Sequence, residues 1–138
     1  MRKVRQSRLA QCEAGQASIE FALTITMTLL LIFALIDFSR AIYTGSILQW
    51  AAQDGAREAI VMIDSSASQS EIKEAVEAAV KERLVGLDPD AVEIAPPSWT
   101  GNVVEIQVSY PFKFVVPIVA QITGDGIEMS SSASMIAH

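Results

Sequence analysis

Gly15 and Glu20 are the residues whose types and spacing most clearly suggest chemistry in this 138-residue sequence. They lie where a basic stretch meets a long apolar run, in the segment Gly15-Gln16-Ala17-Ser18-Ile19-Glu20-Phe21. A protease needs extended backbone at its target bond, and glycine has no side chain to obstruct that approach. A glutamate in a medium of low dielectric constant attracts an ammonium group strongly. The pattern suggests cleavage beside Gly15 and a carboxylate at Glu20 that pairs with a cation, while the simpler interpretation of Glu20 is a tolerated carboxylate at the edge of the run.

Other residue types used in catalysis or metal binding do not form a recognisable set. His138 is the only histidine and Cys12 the only cysteine, and the serines at 130–132 have no histidine base to activate them. The acidic residues considered for Ca²⁺ fall in turn-like segments, where Asp is expected anyway; they are Asp64, Asp88 and Asp90. We therefore expect no enzymatic activity, no cofactor and no metal site.

The charge of the chain is divided unevenly. Residues 1–15 carry a net charge of +3, which leaves −9 for the rest because the whole chain carries −6. The charged residues of this leader are Arg2, Lys3, Arg5, Arg8 and Glu13. Nucleic-acid binding requires a basic footprint, so the acidic remainder argues against a nucleic-acid partner. A short basic end before an apolar run is typical of a signal that keeps the N-terminus in the cytoplasm and exports the rest.

The apolar run predicts one membrane-spanning helix. Residues 19–36 are 18 consecutive positions with a single charge, which meets the length that a spanning helix needs. Eleven of those 18 are Leu, Ile or Phe, and at ~0.3–0.6 kcal/mol each they favour insertion by about 3–7 kcal/mol. Glu20 opposes insertion, but a charge near the end of a span costs less than one at the midplane. Membrane lipid is therefore an expected partner.

Three kinds of processing fit a basic leader and an apolar run. A secretory signal peptide requires small residues after the run, and residues 37–41, with Asp37 and Arg40, make a poor site. A lipoprotein signal would use Cys12, but its apolar stretch has to precede the cysteine, whereas here it follows. The third is a cut between Gly15 and Gln16. Its pattern of basic leader, glycine, four residues, glutamate and long apolar helix resembles a prepilin processing site, and we predict this third kind.

The helical pattern continues beyond the membrane. No proline interrupts residues 16–63, and apolar residues recur at three- and four-residue steps up to Met62. A helix over residues 16–63 is about 70 Å long, of which about 30 Å spans lipid. The remaining part, about 40 Å, is predicted to stand outside the membrane as an amphipathic stalk. Small residues form a stripe on its outer half that allows backbones to approach closely; they are Ala51, Ala52, Gly55, Ala56 and Ala59. This small-residue stripe packs against the chain's own globular part or against another subunit, and the two are not exclusive along one long helix.

Residues 64–138 predict a small extracytoplasmic module that begins with a second helix. Ser68 and Glu71 have the spacing of a capping box, the helix extends to about Leu84, and Gly86 suits its C-cap. The period then changes to two, which predicts strands, at 92–94, at 104–110 after a turn at 101–102, and at 126–136. Residues 113–124 are ambiguous and suggest a short helix broken near Pro117. The predicted fold class is α+β, with a long N-terminal transmembrane helix, a second helix and an antiparallel sheet.

With these features in place, the chain resembles the TadE-like family, the pseudopilins of the tight-adherence (Flp) pilus system. Four stretches carry the resemblance, and the first two are specific together. They are Gly15-Gln16-Ala17-Ser18-Ile19-Glu20-Phe21-Ala22-Leu23, Ala51-Ala52-Gln53-Asp54-Gly55-Ala56-Arg57-Glu58-Ala59, Val108-Ser109-Tyr110-Pro111-Phe112 and Ser130-Ser131-Ser132-Ala133-Ser134-Met135.

The resemblance implies cleavage between Gly15 and Gln16 by a prepilin peptidase, with Glu20 as the key glutamate and N-methylation of Gln16. It implies a place in the bacterial inner membrane, partners among other pilins, pseudopilins and the Tad secretion machinery, and a role in pilus assembly, adhesion and biofilm formation. Major Flp pilins usually have Tyr after the glutamate and little beyond the helix, whereas Phe21 and a full module follow here. That departure favours a minor pseudopilin. The alternative is a signal-anchored envelope protein whose module binds a partner without entering a pilus.

Overall fold

The fold consists of two helices and one antiparallel sheet, which confirms the predicted α+β class. This computed structural model describes residues 2–65, 67–116, 124 and 126–136, with side chains from Gly15 onward. The elements in chain order are α1 (Arg2–Asp64), α2 (Gln69–Arg83), a 3-10 turn (Pro89–Ala91), β1 (Glu93–Ile94), β2 (Ser98–Thr100), β3 (Val103–Phe112) and β4 (Ile127–Ile136).

Helix α1 is uninterrupted and contains the leader, the predicted span and the small-residue stripe. It begins at Arg2 instead of residue 16, and it ends at Asp64, one residue beyond the predicted end. Every residue from Gly15 to Ile36 is exposed. Among the described residues, α1 is the one helix long and apolar enough to cross a membrane. A helix segment that is apolar on all sides and has no protein packed on it indicates a membrane anchor.

Three threonines inside the predicted span satisfy their own hydroxyl groups. Thr24, Thr26 and Thr28 each donate to the carbonyl oxygen four residues earlier, at 2.8, 2.7 and 2.8 Å. A polar group without a partner is costly in hydrocarbon, and this bond supplies the partner from the same helix. The threonines therefore do not prevent the segment from lying in lipid.

The outer half of α1 forms one wall of the core of the module. Leu48 of α1 is fully buried and belongs to one core cluster with residues of α2 and β3. The cluster members from those two elements are aliphatic and buried; they are Ile72, Val76, Val80, Val104, Ile106 and Val108. The hydrophobic effect acts on this one cluster, so the module folds against its own helix and not as a separate body.

Strand β3 is the centre of the sheet. It pairs with β4 along its full length, from Val103↔Ile136 to Phe112↔Ile127. Its other edge pairs with β1 near the end and with β2 near the start. Its buried and exposed residues alternate along Val104 to Val108, as expected for a strand with one face on the core.

Helix α2 has the predicted N-terminus and ends at Arg83, next to the predicted end at about Leu84, but its C-cap differs from the prediction. The Ser68 hydroxyl accepts from the Glu71 N–H at 3.4 Å and the Glu71 carboxylate accepts from the Ser68 N–H at 2.8 Å, so the capping box is confirmed. Hydrogen bonds from the Ser68 hydroxyl and N–H hold the pKa of Glu71 below its ordinary value. The predicted C-cap at Gly86 is wrong, since Leu84 is the cap. Gly86, at φ +80°, instead occupies a turn that the Leu87 N–H closes onto the Leu84 carbonyl at 3.3 Å.

The strands depart from prediction at one place. Strand β2 was not predicted, because a three-residue strand after Pro96-Pro97 is too short to show a period of two. The turn at Gly101-Asn102 is confirmed and joins β2 to β3. Residues 113–116 follow β3 without regular structure, and residues 117–123 and 125, which include the suggested helix near Pro117, lie outside the described residues.

Candidate functional site

Residues 15–21, which we call the processing segment because cleavage is predicted there, lie on the exposed surface of α1. Gly15, Gln16, Glu20 and Phe21 are all exposed, and a Cβ added at Gly15 would meet nothing within 4 Å. The peptide bond after Gly15 is nevertheless part of a continuous helix. A protease that grips extended backbone must therefore unwind α1 locally. Glycine lowers that cost, because it is about 1 kcal/mol less favourable than alanine inside a helix.

The Glu20 carboxylate has no side-chain partner among the residues that the structure describes. Its backbone carbonyl accepts from Thr24, but no ion pair reaches its side chain. Glu20 is the one charged residue of the apolar run at 19–36. A lone charge at this depth requires a partner from another molecule, from the headgroup layer, or from a new chain terminus.

The small-residue stripe lies inside the module. Ala51, Ala52, Ala56 and Ala59 are fully buried, and Gly55 is buried between them. Of the two partners considered for this stripe, the structure uses the chain's own α2 and β3. The reason is distance: a Cβ at Gly55 would lie 2.9 Å from Cγ2 of Val80, so only glycine lets the two helices approach this closely.

Asp37 is a site residue that the sequence did not reveal, since residues 37–41 indicated only a poor cleavage site. It follows directly after the predicted span, and only 3% of its surface is exposed. Its carboxylate accepts from the Val115 N–H, 3.0 Å from both oxygens, and from the Val116 N–H at 2.9 Å. Arg40, one turn later on α1, donates to it from Nη1 at 3.1 Å. Asp37 thus fastens the segment after β3 to the turn of α1 that emerges from the apolar run.

The environment of Asp37 keeps its carboxylate ionised. Burial by itself raises the pKa of Asp37, because it removes water from the charged form. The hydrogen bonds from Val115 and Val116 and the guanidinium of Arg40 outweigh burial, so the pKa of Asp37 lies below its ordinary value. Part of this arrangement is visible in sequence, since Asp37 and Arg40 have the spacing of a helical pair. The backbone donors come from 78 and 79 positions away, and no local pattern points to them.

Arg40 joins the same junction to the end of β3. Its Nη1 also donates to the Lys113 carbonyl at 3.3 Å, and its guanidinium carbon lies 5.2 Å from the centre of the Phe112 ring. A cation over an aromatic face is attracted to it. Phe112 in turn packs edge-to-face on Phe114, with ring centres 5.3 Å apart. Hydrogen bonds of Asp37 and Arg40 and the contact of Arg40 with Phe112 therefore hold α1 to the C-terminal end of β3. We call this set of contacts, made by Asp37 and Arg40 with residues 112–116, the junction.

No metal centre is found in the part of the chain that the structure describes. No group of three or more His, Cys, Asp or Glu side chains is arranged to hold an ion there. Asp88 accepts from the Asp90 N–H at 3.1 Å and begins the short turn at Pro89–Ala91, as expected for Asp in a turn. His138 and Cys12 lie outside the described side chains.

The fold and the processing segment define a class of protein: a single apolar anchor helix that continues into an α+β module. The model of a protein family described as TadE-like protein matches residues 15–57, which confirms the resemblance to the TadE-like family. The match begins at the processing segment and ends within the small-residue stripe, before α2 and the sheet. It links the chain to Tad (Flp) pilus systems. No curated protein and no solved structure matches the chain.

Proposed function

We propose that this chain is a minor pilin or pseudopilin that takes part in assembling a Flp (Tad, type IVc-like) pilus and thereby supports adhesion and biofilm formation. The observation that carries the proposal is the placement of Gly15 and Glu20 at the start of an exposed apolar helix within the family match. In this proposal the chain is a structural component without catalytic activity. It sits in the bacterial inner membrane, with its N-terminus in the cytoplasm and its module on the opposite side.

The first step is removal of the leader by a prepilin peptidase. Hydrolysis of the bond between Gly15 and Gln16 leaves a carboxylate on Gly15 and an α-amino group on Gln16. The exposure of this segment on α1 supports access by the peptidase, and the missing side chain of Gly15 supports local unwinding. Methylation of the Gln16 amino group is an additional step that the resemblance implies.

The second step uses the charge of Glu20. After cleavage, the new ammonium group of Gln16 and the Glu20 carboxylate are opposite charges beside an apolar medium, where their attraction is strong. Because no described side chain pairs with the Glu20 carboxylate, it is free to align one subunit against the N-terminus of a neighbour. Other pilins or pseudopilins are the partners that this alignment requires, and the Tad secretion machinery is the apparatus that would move them.

The module supports a minor role. It packs along α1 from Thr44 to Ile63 and occupies one side of the helix. The small-residue stripe is buried within it and is not available to a second helix. A subunit that has lost this side of α1 to its own module offers fewer helix faces for packing into a filament than a bare helix does, which fits a minor component better than the main subunit.

Mass spectrometry after co-expression with a prepilin peptidase tests the first step. The wild-type chain should lose residues 1–15, and Gly15→Arg should retain them. The substitution does not disturb the fold, because a Cβ at Gly15 has open space around it. A catalytically inactive peptidase is the control. If the wild-type chain keeps its leader with the active peptidase, the signal-anchored envelope protein is the better description.

Glu20 variants test the second step separately. Glu20→Gln keeps the shape of the side chain and removes its charge, so cleavage should persist while pilus assembly, counted by electron microscopy, should fall. Glu20→Asp keeps the charge and serves as the matched variant. Normal piliation of the Gln variant would exclude the alignment role of the carboxylate.

A further inference from the structure

The junction places part of the module at the level where α1 leaves the membrane. Asp37 comes directly after the predicted span at 19–36, and its carboxylate holds Val115 and Val116 at 2.9–3.0 Å. The chain at 115–116 therefore lies within one helical turn of Ile36, measured along α1. With residues 19–36 in the bilayer, the module would reach down to the bilayer surface at this point, and would not stand clear of it on a free stalk.

Two apolar side chains at this level are exposed. Phe38 is 64% exposed and Val115 is 57% exposed, although both are next to the buried Asp37 contact. Phe38 continues the exposed apolar surface that ends at Ile36. Large apolar side chains are well placed at the membrane interface, where aromatic residues are enriched, whereas on a water-exposed surface they contribute nothing to the fold.

Two cations lie beside them. Arg40 and Lys113 line one open cleft between α1 and the end of β3, and Arg40 Nη1 contacts the Lys113 backbone. The acidic groups nearby are Asp37, which is already hydrogen-bonded to Arg40 and two backbone N–H groups, and Asp88, which lines the same cleft. Basic residues next to a span, in a chain that is otherwise acidic, complement the negative surface of a bilayer.

We propose that this membrane-proximal surface, defined by Phe38, Arg40, Lys113 and Val115, lies in the headgroup layer and binds anionic phospholipid. The apolar pair enters the boundary between headgroups and acyl chains, and the cations contact lipid phosphates. Asp37 holds the two parts of the surface, which come from α1 and from the segment after β3, at the same depth. The inference rests on the membrane anchoring in the proposed function and goes beyond it, because it assigns a lipid contact to the module itself.

A site-specific fluorescent probe tests the depth of this surface. In a Cys12→Ser background, single cysteines replace Val115, Ile136 or Leu30 of the full chain, and each is labelled with an environment-sensitive fluorophore. Ile136 is the matched control, because it is a similarly exposed aliphatic residue at the far end of the β3–β4 pair. That end is about 30 Å from the junction for a ten-residue strand. Leu30 reports insertion of the span.

The labelled chains are placed in phosphatidylcholine nanodiscs with and without phosphatidylglycerol, and quenching by lipids with a shallow nitroxide is measured. We expect quenching and a blue shift at Val115, neither at Ile136, and quenching at Leu30 by a deep nitroxide. Quenching at Leu30 without quenching at Val115 would overturn the lipid contact and leave the membrane anchor intact. No quenching at Leu30 would overturn both. A blue shift at Val115 without quenching would show that protein, such as a second copy, covers the surface.

A charge variant tests the anionic specificity. We expect phosphatidylglycerol to increase quenching at Val115, and Lys113→Gln to remove most of that increase. Lys73→Gln is the matched control, since Lys73 is an exposed lysine on α2 that pairs with Glu77, and it should leave the increase unchanged. Equal quenching with and without phosphatidylglycerol in the unmodified chain would refute the headgroup preference.

Discussion

Replacement of Gly55 by alanine tests which surface the small-residue stripe contacts. In the structure an added Cβ would lie 2.9 Å from Cγ2 of Val80 and 3.4 Å from Cγ1 of Val76, with Ile106 at 3.5 Å on the third side. Val80 is fully buried and β-branched, so it has one strongly preferred rotamer in a helix. Turning the Val80 side chain away from the new Cβ is therefore costly, and so is moving α2 outward from α1.

Two terms of opposite sign set the size of the effect. Alanine gains about 0.8–1 kcal/mol over glycine from helix propensity, whereas overpacking a core costs about 1–3 kcal/mol. Gly45→Ala is the matched control, because it lies on the same helix and its Cβ would meet only Met129 Cε at 3.5 Å, an ordinary contact. We expect Gly45→Ala to stabilise the module by about 1 kcal/mol. Gly55→Ala should be less stable than Gly45→Ala by about 1–3 kcal/mol, which is the packing term alone.

The assay is urea unfolding of the full chain in a mild detergent, followed by the fluorescence of Trp50 and Trp99. Val80→Ala removes the methyl group that the new Cβ would strike, so the penalty of Gly55→Ala should largely disappear in that background, as a double-mutant cycle measures. If Gly55→Ala is as stable as Gly45→Ala, the close helix contact is wrong. The stripe would then be available to another subunit.

Two further predictions concern the junction and the cap of α2. Asp37→Asn should lower the free energy of unfolding by about 1.5–3 kcal/mol, because it replaces one charged carboxylate oxygen, which accepts a hydrogen bond, with an amide nitrogen, which cannot. Asp64→Asn is the control at an exposed position and should change the free energy of unfolding little. The pKa of Asp37 in the folded chain is below its ordinary value. Its contribution to the free energy of unfolding should therefore be complete above pH ~4, the ordinary Asp pKa, and should be lost as pH falls through the lower folded pKa. If the difference in free energy of unfolding between wild type and Asp37→Asn stays constant down to full protonation, this prediction is wrong. Ser68→Ala should cost about 0.5–2 kcal/mol by removing the capping oxygen, Ser68→Thr should retain most of the stability, and equal urea midpoints for the two variants would show that the box does not stabilise α2.

Local patterns predicted most of the elements. The apolar run, the three- and four-residue spacing of α1, the capping box and the alternation in β3 each depend on residues a few positions apart, so the sequence shows them directly. Strand β2 was not predicted, because three residues are too few to show the two-residue alternation of a strand. The C-cap of α2 was predicted at Gly86 instead of Leu84 because a glycine with positive φ suits a turn after a helix as well as a helix cap.

The sequence by itself determined that the chain has a basic leader, Gly15 at the end of that leader, Glu20 near the start of an apolar run, and a helix that continues into a module. It left open which surface the small-residue stripe contacts. The pattern around Asp37 indicated only a poor cleavage site and gave no sign of its structural role. The tertiary structure decided both points. Val80 and Ile106 meet Gly55, and the Val115 and Val116 N–H groups meet Asp37, only after α2 and β3 have packed on α1. The physical reason is that these partners are brought together by burial of the common core, and the spacing of residues along the chain carries no record of that contact.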